Sequence, residues 1–166
     1  MRYLNKIVFI NSAAIRYSEV QLDGNIHLIG TQGVGKSTIL RAILFFYNAD
    51  TQRLGIPVEK KSYQDYYFPY ADSSIIYEVA REDGWFTVLS YKTMNRICYR
   101  FIASPYRSDL FIDEEGAPYP SDRIRSVLDK NGIKYSGAIS TYEEYRNILY
   151  GNSDNKRDYS CYSLME

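Results

Sequence analysis

The chain has 166 residues, 45% of them hydrophobic and 24% charged, which suffices for one domain with a packed core. Its 20 basic and 20 acidic residues cancel, so no global basic field advertises nucleic acid and only a local patch stays open. A single histidine, His27, and two distant cysteines, Cys98 and Cys161, speak against zinc; without a signal-peptide pattern or a bilayer-length apolar run, the chain reads as cytoplasmic.

Tyr3 to Asn11 and Ile15 to Leu22 predict two antiparallel strands joined at Ser12-Ala13-Ala14. Asp23-Gly24 predicts a tight turn into a short buried strand, Asn25 to Ile29. Gly30-Thr31-Gln32-Gly33-Val34-Gly35-Lys36-Ser37 then has the form G-x-x-x-x-G-K-[ST], and Thr38 to Tyr47 predicts an apolar helix. Strand, glycine-rich turn and helix form the setting of a phosphate-binding loop. Glycines at 30, 33 and 35 let the backbone aim N–H groups at phosphate oxygens, and the helix adds its positive end. Lys36 is placed for the β- and γ-phosphates and the Ser37 hydroxyl for Mg²⁺. The residues expected to hold ATP are Gly30, Gln32, Gly33, Val34, Gly35, Lys36, Ser37 and Thr38, with Ser37 as the metal ligand.

Past the helix the periodicity fades. Asp50 to Pro57 reads as a loop from its glycine and proline. Tyr63 to Tyr70 concentrates five aromatics, either as a packing loop or lid, the more ordinary reading, or as a platform for a nucleobase. Ser74 to Arg81, Trp85 to Lys92 and Arg96 to Ala103 predict three antiparallel strands, with Cys98 directed inward as a small apolar residue. Asp109 to Glu114 resembles a Walker B strand superficially. Asp109 interrupts its short apolar run, which favours a strand ending in a charged turn. Ser121 to Lys130 predicts an amphipathic helix capped by Ser121 and stopped by Asn131-Gly132. Ser140 to Leu149 predicts another, capped by Ser140 or Thr141, with Tyr145, Ile148 and Leu149 inward; Gly151 to Asp158 reads as a polar linker. The 18 tyrosines are accounted for only by strand preference.

Residues 1–47 resemble the amino-terminal lobe of SMC-like and RecF-like ATPases, in which a β-meander leads to G-x-N-G-x-G-K-S/T and a helix with an Ala-Ile pair. The matching residues are Gly30, Gln32, Gly33, Gly35, Lys36, Ser37 and Ala42-Ile43, with Gln32 in place of the usual Asn. Tyr66-Tyr67-Phe68-Pro69 and Ser74 to Val79 are also similar to bacterial condensin-like heads of the MukB, MksF and JetC group. The resemblance implies an α/β fold, a P-loop NTPase of ABC-ATPase-head type, with a mixed sheet, an antiparallel β-subdomain and a few flanking helices. It divides the chain into residues 1–50 (meander, loop and first helix), 51–73 (aromatic loop), 74–115 (antiparallel strands) and 116–166 (short helices and polar tail). It also implies that Arg53, with Gln52 beside it, lies where a basic residue can reach phosphates, although a solvated loop arginine is the simpler reading.

No L-S-G-G-Q signature, switch histidine or secure Walker B pair follows, and no heptad pattern occurs. The expectation is therefore an ATP-binding N-terminal portion of such an ATPase, acting in chromosome maintenance, DNA repair or plasmid defence. Hydrolysis would await the C-terminal half of the head and a second head in a dimer; DNA would be a partner of the full assembly, and no membrane is implied. The alternative is a complete small P-loop kinase or GTPase-like protein.

Overall fold

The computed structural model describes residues 1–22, 35–48 and 63–166. Among these residues five strands form one sheet: β1 (Tyr3–Ser12), β2 (Ile15–Gln21), β3 (Ser74–Arg81), β4 (Gly84–Thr93) and β5 (Arg96–Ile102), in the order β2-β1-β3-β4-β5. All four pairings are antiparallel. β3 to β5 do not make a separate sheet beside the N-terminal strands, because β3 hydrogen-bonds to β1 with Ile7 opposite Tyr77. Among the described residues the expected mixed sheet has no parallel pairing; the expected strand at Asn25 to Ile29 lies outside them.

Strand alternation sends side chains to two faces. Ile7, Phe9, Tyr77, Phe86, Tyr99 and Phe101 enter the larger core, under α1 (Lys36–Asn48), α2 (Tyr63–Tyr67) and, later in the chain, a helix at Tyr142–Leu149. Val8, Ile10, Ile76, Leu89 and Cys98 enter a smaller one, under Leu110, Phe111 and α3 (Ser121–Lys130). Because both faces are covered, β1 and β3 are buried along most of their length.

The helices keep close to their predicted spans, and one predicted cap differs. Pro120, extended at φ −58° and ψ 152°, takes the N-cap position of α3 without a side-chain bond, so Ser121 is the first helical residue and not the cap. At the other end Gly132, at φ 67°, lets its N–H reach the Asp129 carbonyl while Ile133 N–H reaches that of Leu128. Helix α4 (Tyr142–Leu149) is capped by Thr141, whose hydroxyl accepts from Glu144 N–H at 3.2 Å.

Three segments depart from the sequence reading. The aromatic stretch is not a loop throughout, since α2 occupies Tyr63–Tyr67. Asp109 lies in a single 3₁₀ turn, Ser108–Leu110, and Ile112 makes only an isolated bridge to Pro118. The polar stretch 151–158 is no mere linker: α5 (Lys156–Tyr159) begins inside it, and beyond it Tyr162 is fully buried against Phe86 and Phe101. Arg2 and Arg81 hold that tail by donating to the Ser163 carbonyl, each at 3.2 Å.

Candidate functional site

Helix α1 has two unlike sides. Ile39, Ala42, Ile43 and Phe46, spaced at helical intervals, face the core together with Phe45. Gly35, Lys36 and Ser37 are exposed, and Thr38 is half-buried. The helical ladder opens with Ile39 N–H donating to the Gly35 carbonyl at 3.2 Å. N–H groups of a first turn have no intrahelical acceptor. This first turn contains no acidic residue and places Lys36 at its start. A cation there opposes the helix dipole, whereas an anion would satisfy both the lysine and the N–H groups. A Cβ built on Gly35 would meet nothing within 4 Å, so the backbone is open to close approach. The residues present fit a phosphate group. For a divalent cation they supply the Ser37 hydroxyl, which leaves the other ligands to phosphate and water. Gly30, Gln32, Gly33 and Val34, together with Gln52 and Arg53, lie outside the described residues.

The sequence reading missed what holds this helix. Four tyrosine hydroxyls from separate parts of the chain donate to α1 carbonyls. Tyr67 of α2 donates to Thr38 at 3.1 Å, Tyr77 of β3 to Ala42 at 2.9 Å, Tyr145 of α4 to Phe46 at 2.5 Å, and Tyr150 to Tyr47 at 2.7 Å. Thr38, Ala42 and Phe46 are successive members of one i, i+4 row. At Thr38 and Ala42 the hydroxyl is a second partner for a carbonyl inside the helix. At Phe46 and Tyr47 it satisfies carbonyls that the helix end leaves open. Burial pushes the Tyr77 and Tyr145 hydroxyls well above their ordinary pKa, Tyr150 upward, and Tyr67 to about 12. All four remain donors at neutral pH. Between them the rings stack: Phe45 on Tyr63 at 4.6 Å, Tyr63 on Tyr67 at 4.2 Å and Tyr99 on Tyr145 at 4.3 Å. The only available sequence signal was the tyrosine excess itself.

The aromatic stretch divides between the two readings made of it. Tyr63, Tyr67 and Phe68 are core residues, as the packing reading expected. Tyr66 is half-buried and Tyr70 is 63% exposed, and both line a cleft of about 470 Å³ with Pro69, Asn11, Ala14 and Arg16. The far wall is the β1–β2 turn, where Asn11, Ala13 and Ala14 have φ of 47°, 50° and 63°. A two-residue hairpin turn of this hand favours Asn-Gly; with two alanines it is strained. Ser73 ties the walls together, accepting from Tyr70 N–H at 2.9 Å and donating to the Asn11 carbonyl at 2.5 Å. Tyr67, next to Tyr66 in α2, ties that short helix to the first turn of α1.

Asp113 and Glu114 lie elsewhere. Phe111 packs in the smaller core, on the opposite face of the sheet from α1. One Asp113 carboxylate oxygen accepts from Glu115 and Ala117 N–H at 3.0 and 2.8 Å, the geometry of a charged turn. The pair borders a wider cleft of about 1120 Å³ beside β2, where Arg16, Arg123 and Lys130 stand near Asp109, Glu114 and Glu115. The structure does not bring this pair to Lys36 and Ser37.

Residues 11–160 match the protein family described as "Protein of unknown function (DUF3584)". No curated protein matches the chain. Among the described residues, no helix is long and apolar enough to cross a membrane.

Proposed function

The chain belongs to the DUF3584 family, and we propose that its exposed α1 turn, with the preceding glycine-rich loop, binds the triphosphate of Mg·ATP. The observation that carries this reading is the pairing of a G-x-x-x-x-G-K-S sequence with an acid-free first turn that exposes Lys36 and Ser37. Lys36 supplies a mobile positive charge, the first-turn N–H groups bind phosphate oxygens, and Ser37 contributes one oxygen to the cation. The cleft of Tyr66 and Tyr70 is of a size and character to take the nucleoside.

In this reading the chain is the N-terminal part of an SMC-like or RecF-like ATPase head of ABC type, related to the condensin-like group and cytoplasmic. Support comes from the motif, the Ala42-Ile43 pair and the antiparallel sheet that carries β1 and β2 ahead of the loop. A work-performing head of this kind would draw its water-orienting carboxylate and signature segment from a C-terminal half and a second head. DNA would engage the full assembly, in chromosome maintenance, repair or plasmid defence. Because Asp113 and Glu114 stand across the sheet from α1, this chain alone should hydrolyse ATP at background rates, unchanged by Glu114→Gln.

Calorimetry with Mg·ATP tests the reading. Wild type binds, and Lys36→Ala loses at least about tenfold in affinity, since it removes a charge-assisted contact without removing core packing. Equal affinity in both proteins would refute the site. A strong preference for GTP would instead favour the small GTPase-like alternative.

A further inference from the structure

We infer that Tyr67 is a positioning residue for the phosphate site, its hydroxyl fixing the first turn of α1 through the Thr38 carbonyl. This rests on the nucleotide reading above and names a residue that no part of the motif contains.

The placement argues for more than packing. Thr38 lies in the turn whose N–H groups would hold phosphate, one residue beyond Ser37. The other three anchoring hydroxyls act further along the helix, at Ala42, Phe46 and Tyr47. Tyr67 alone among the four reaches the open end. Its ring is fixed on both sides of the contact, stacked on Tyr63 at 4.2 Å and edge-on to Tyr66 at 5.0 Å, so the hydroxyl has little freedom to follow a drifting helix end. Tyr66 lines the 470 Å³ cleft, so one short helix touches both the proposed phosphate turn and the proposed nucleoside pocket. With its pKa pushed to about 12, chiefly by burial, Tyr67 stays a donor throughout the working range. A binding turn held in place before the ligand arrives avoids an ordering cost on binding.

The test compares Tyr67→Phe with Tyr150→Phe, each of which deletes one hydroxyl bonded to α1, at opposite ends of the helix. Affinities for Mg·ATP and for inorganic triphosphate are measured by calorimetry, with thermal unfolding and amide exchange of residues 36–48 alongside. Tyr67→Phe should weaken both ligands about three- to tenfold and speed exchange in the first turn, while Tyr150→Phe leaves both affinities unchanged at a comparable loss of stability. Loss of ATP affinity with triphosphate affinity intact would overturn the inference, because Tyr67 would then act on the nucleoside side. Equal losses in both variants would overturn it too, marking a general effect of stability. If wild type binds neither ligand, the nucleotide reading fails and the positioning role fails with it. If wild type binds both and Tyr67→Phe matches it, only the inference fails.

Discussion

The two ends of α1 follow opposite rules. The C-terminal end is sunk in aromatic packing: Phe45 and Phe46 are fully buried, and Tyr145 and Tyr150 close the last carbonyls. The N-terminal end exposes Gly35, Lys36 and Ser37, carries no acidic residue and starts with a cation that the dipole disfavours. One end is built for stability and the other gives some of it up. A fold tolerates an unfavourable charge and open N–H groups at a place where a ligand can satisfy them, and a helix fixed along one row of carbonyls can hold such a place steady.

Truncating the closed end should cost most. Phe46→Ala is expected to destabilise the protein by about 3–5 kcal/mol, because it empties a site packed on Tyr77 and Tyr47. A loss below about 1 kcal/mol in urea unfolding would break the contrast at its stronger side.

The tyrosines add a pH dependence to the same core. Their folded pKa values lie above the ordinary 10.0: Tyr63, Tyr77 and Tyr145 well above it and Tyr67 at about 12, in each case chiefly through burial. A raised folded value contributes stability that is complete below pH 10 and lost as pH climbs through the folded value. The melting temperature should therefore hold steady up to about pH 10 and fall steeply from there to about pH 12. Tyr77→Phe should fall less steeply than wild type; identical alkaline profiles would show that this hydroxyl is already free to ionise.

Smaller changes sharpen the comparison. Tyr150→Phe leaves the Tyr47 carbonyl without its partner and should cost about 1 kcal/mol. Lys36→Ala, at the open end, should leave stability unchanged or raise it by about 0.3–1 kcal/mol in the absence of ligand, since it removes a cation from the positive end of the dipole. A clear loss of stability in that variant would mean that Lys36 supports the fold.

What the sequence made legible follows from the range of the forces involved. Strands β1 to β5 and helices α1, α3 and α4 were readable because local periodicity and turn residues set them. The joining of β3 to β1 was not, since strand pairing over 60 residues leaves no local trace. Ser121 looked like a cap, yet Pro120 before it already supplied the entry geometry. Tyr162 read as part of a polar tail because its burial depends on Phe86 and Phe101, far away in sequence. At the candidate site Lys36 and Ser37 stand out in the sequence as part of a motif. The hydroxyls of Tyr67, Tyr77, Tyr145 and Tyr150 do not, because a tyrosine that packs and one that donates to a remote carbonyl look alike in sequence.

Amide hydrogen exchange along α1, with and without Mg·ATP, puts the contrast between its ends to the most direct test. At the C-terminal end, exchange should be slow and unchanged by ligand, as the aromatic core already protects it. In the first turn it should be fast in the free protein and slow several-fold when Mg·ATP is added, with the same slowing produced by inorganic triphosphate. A first turn whose exchange does not respond to either ligand, or a uniform slowing along the whole helix, would contradict the account.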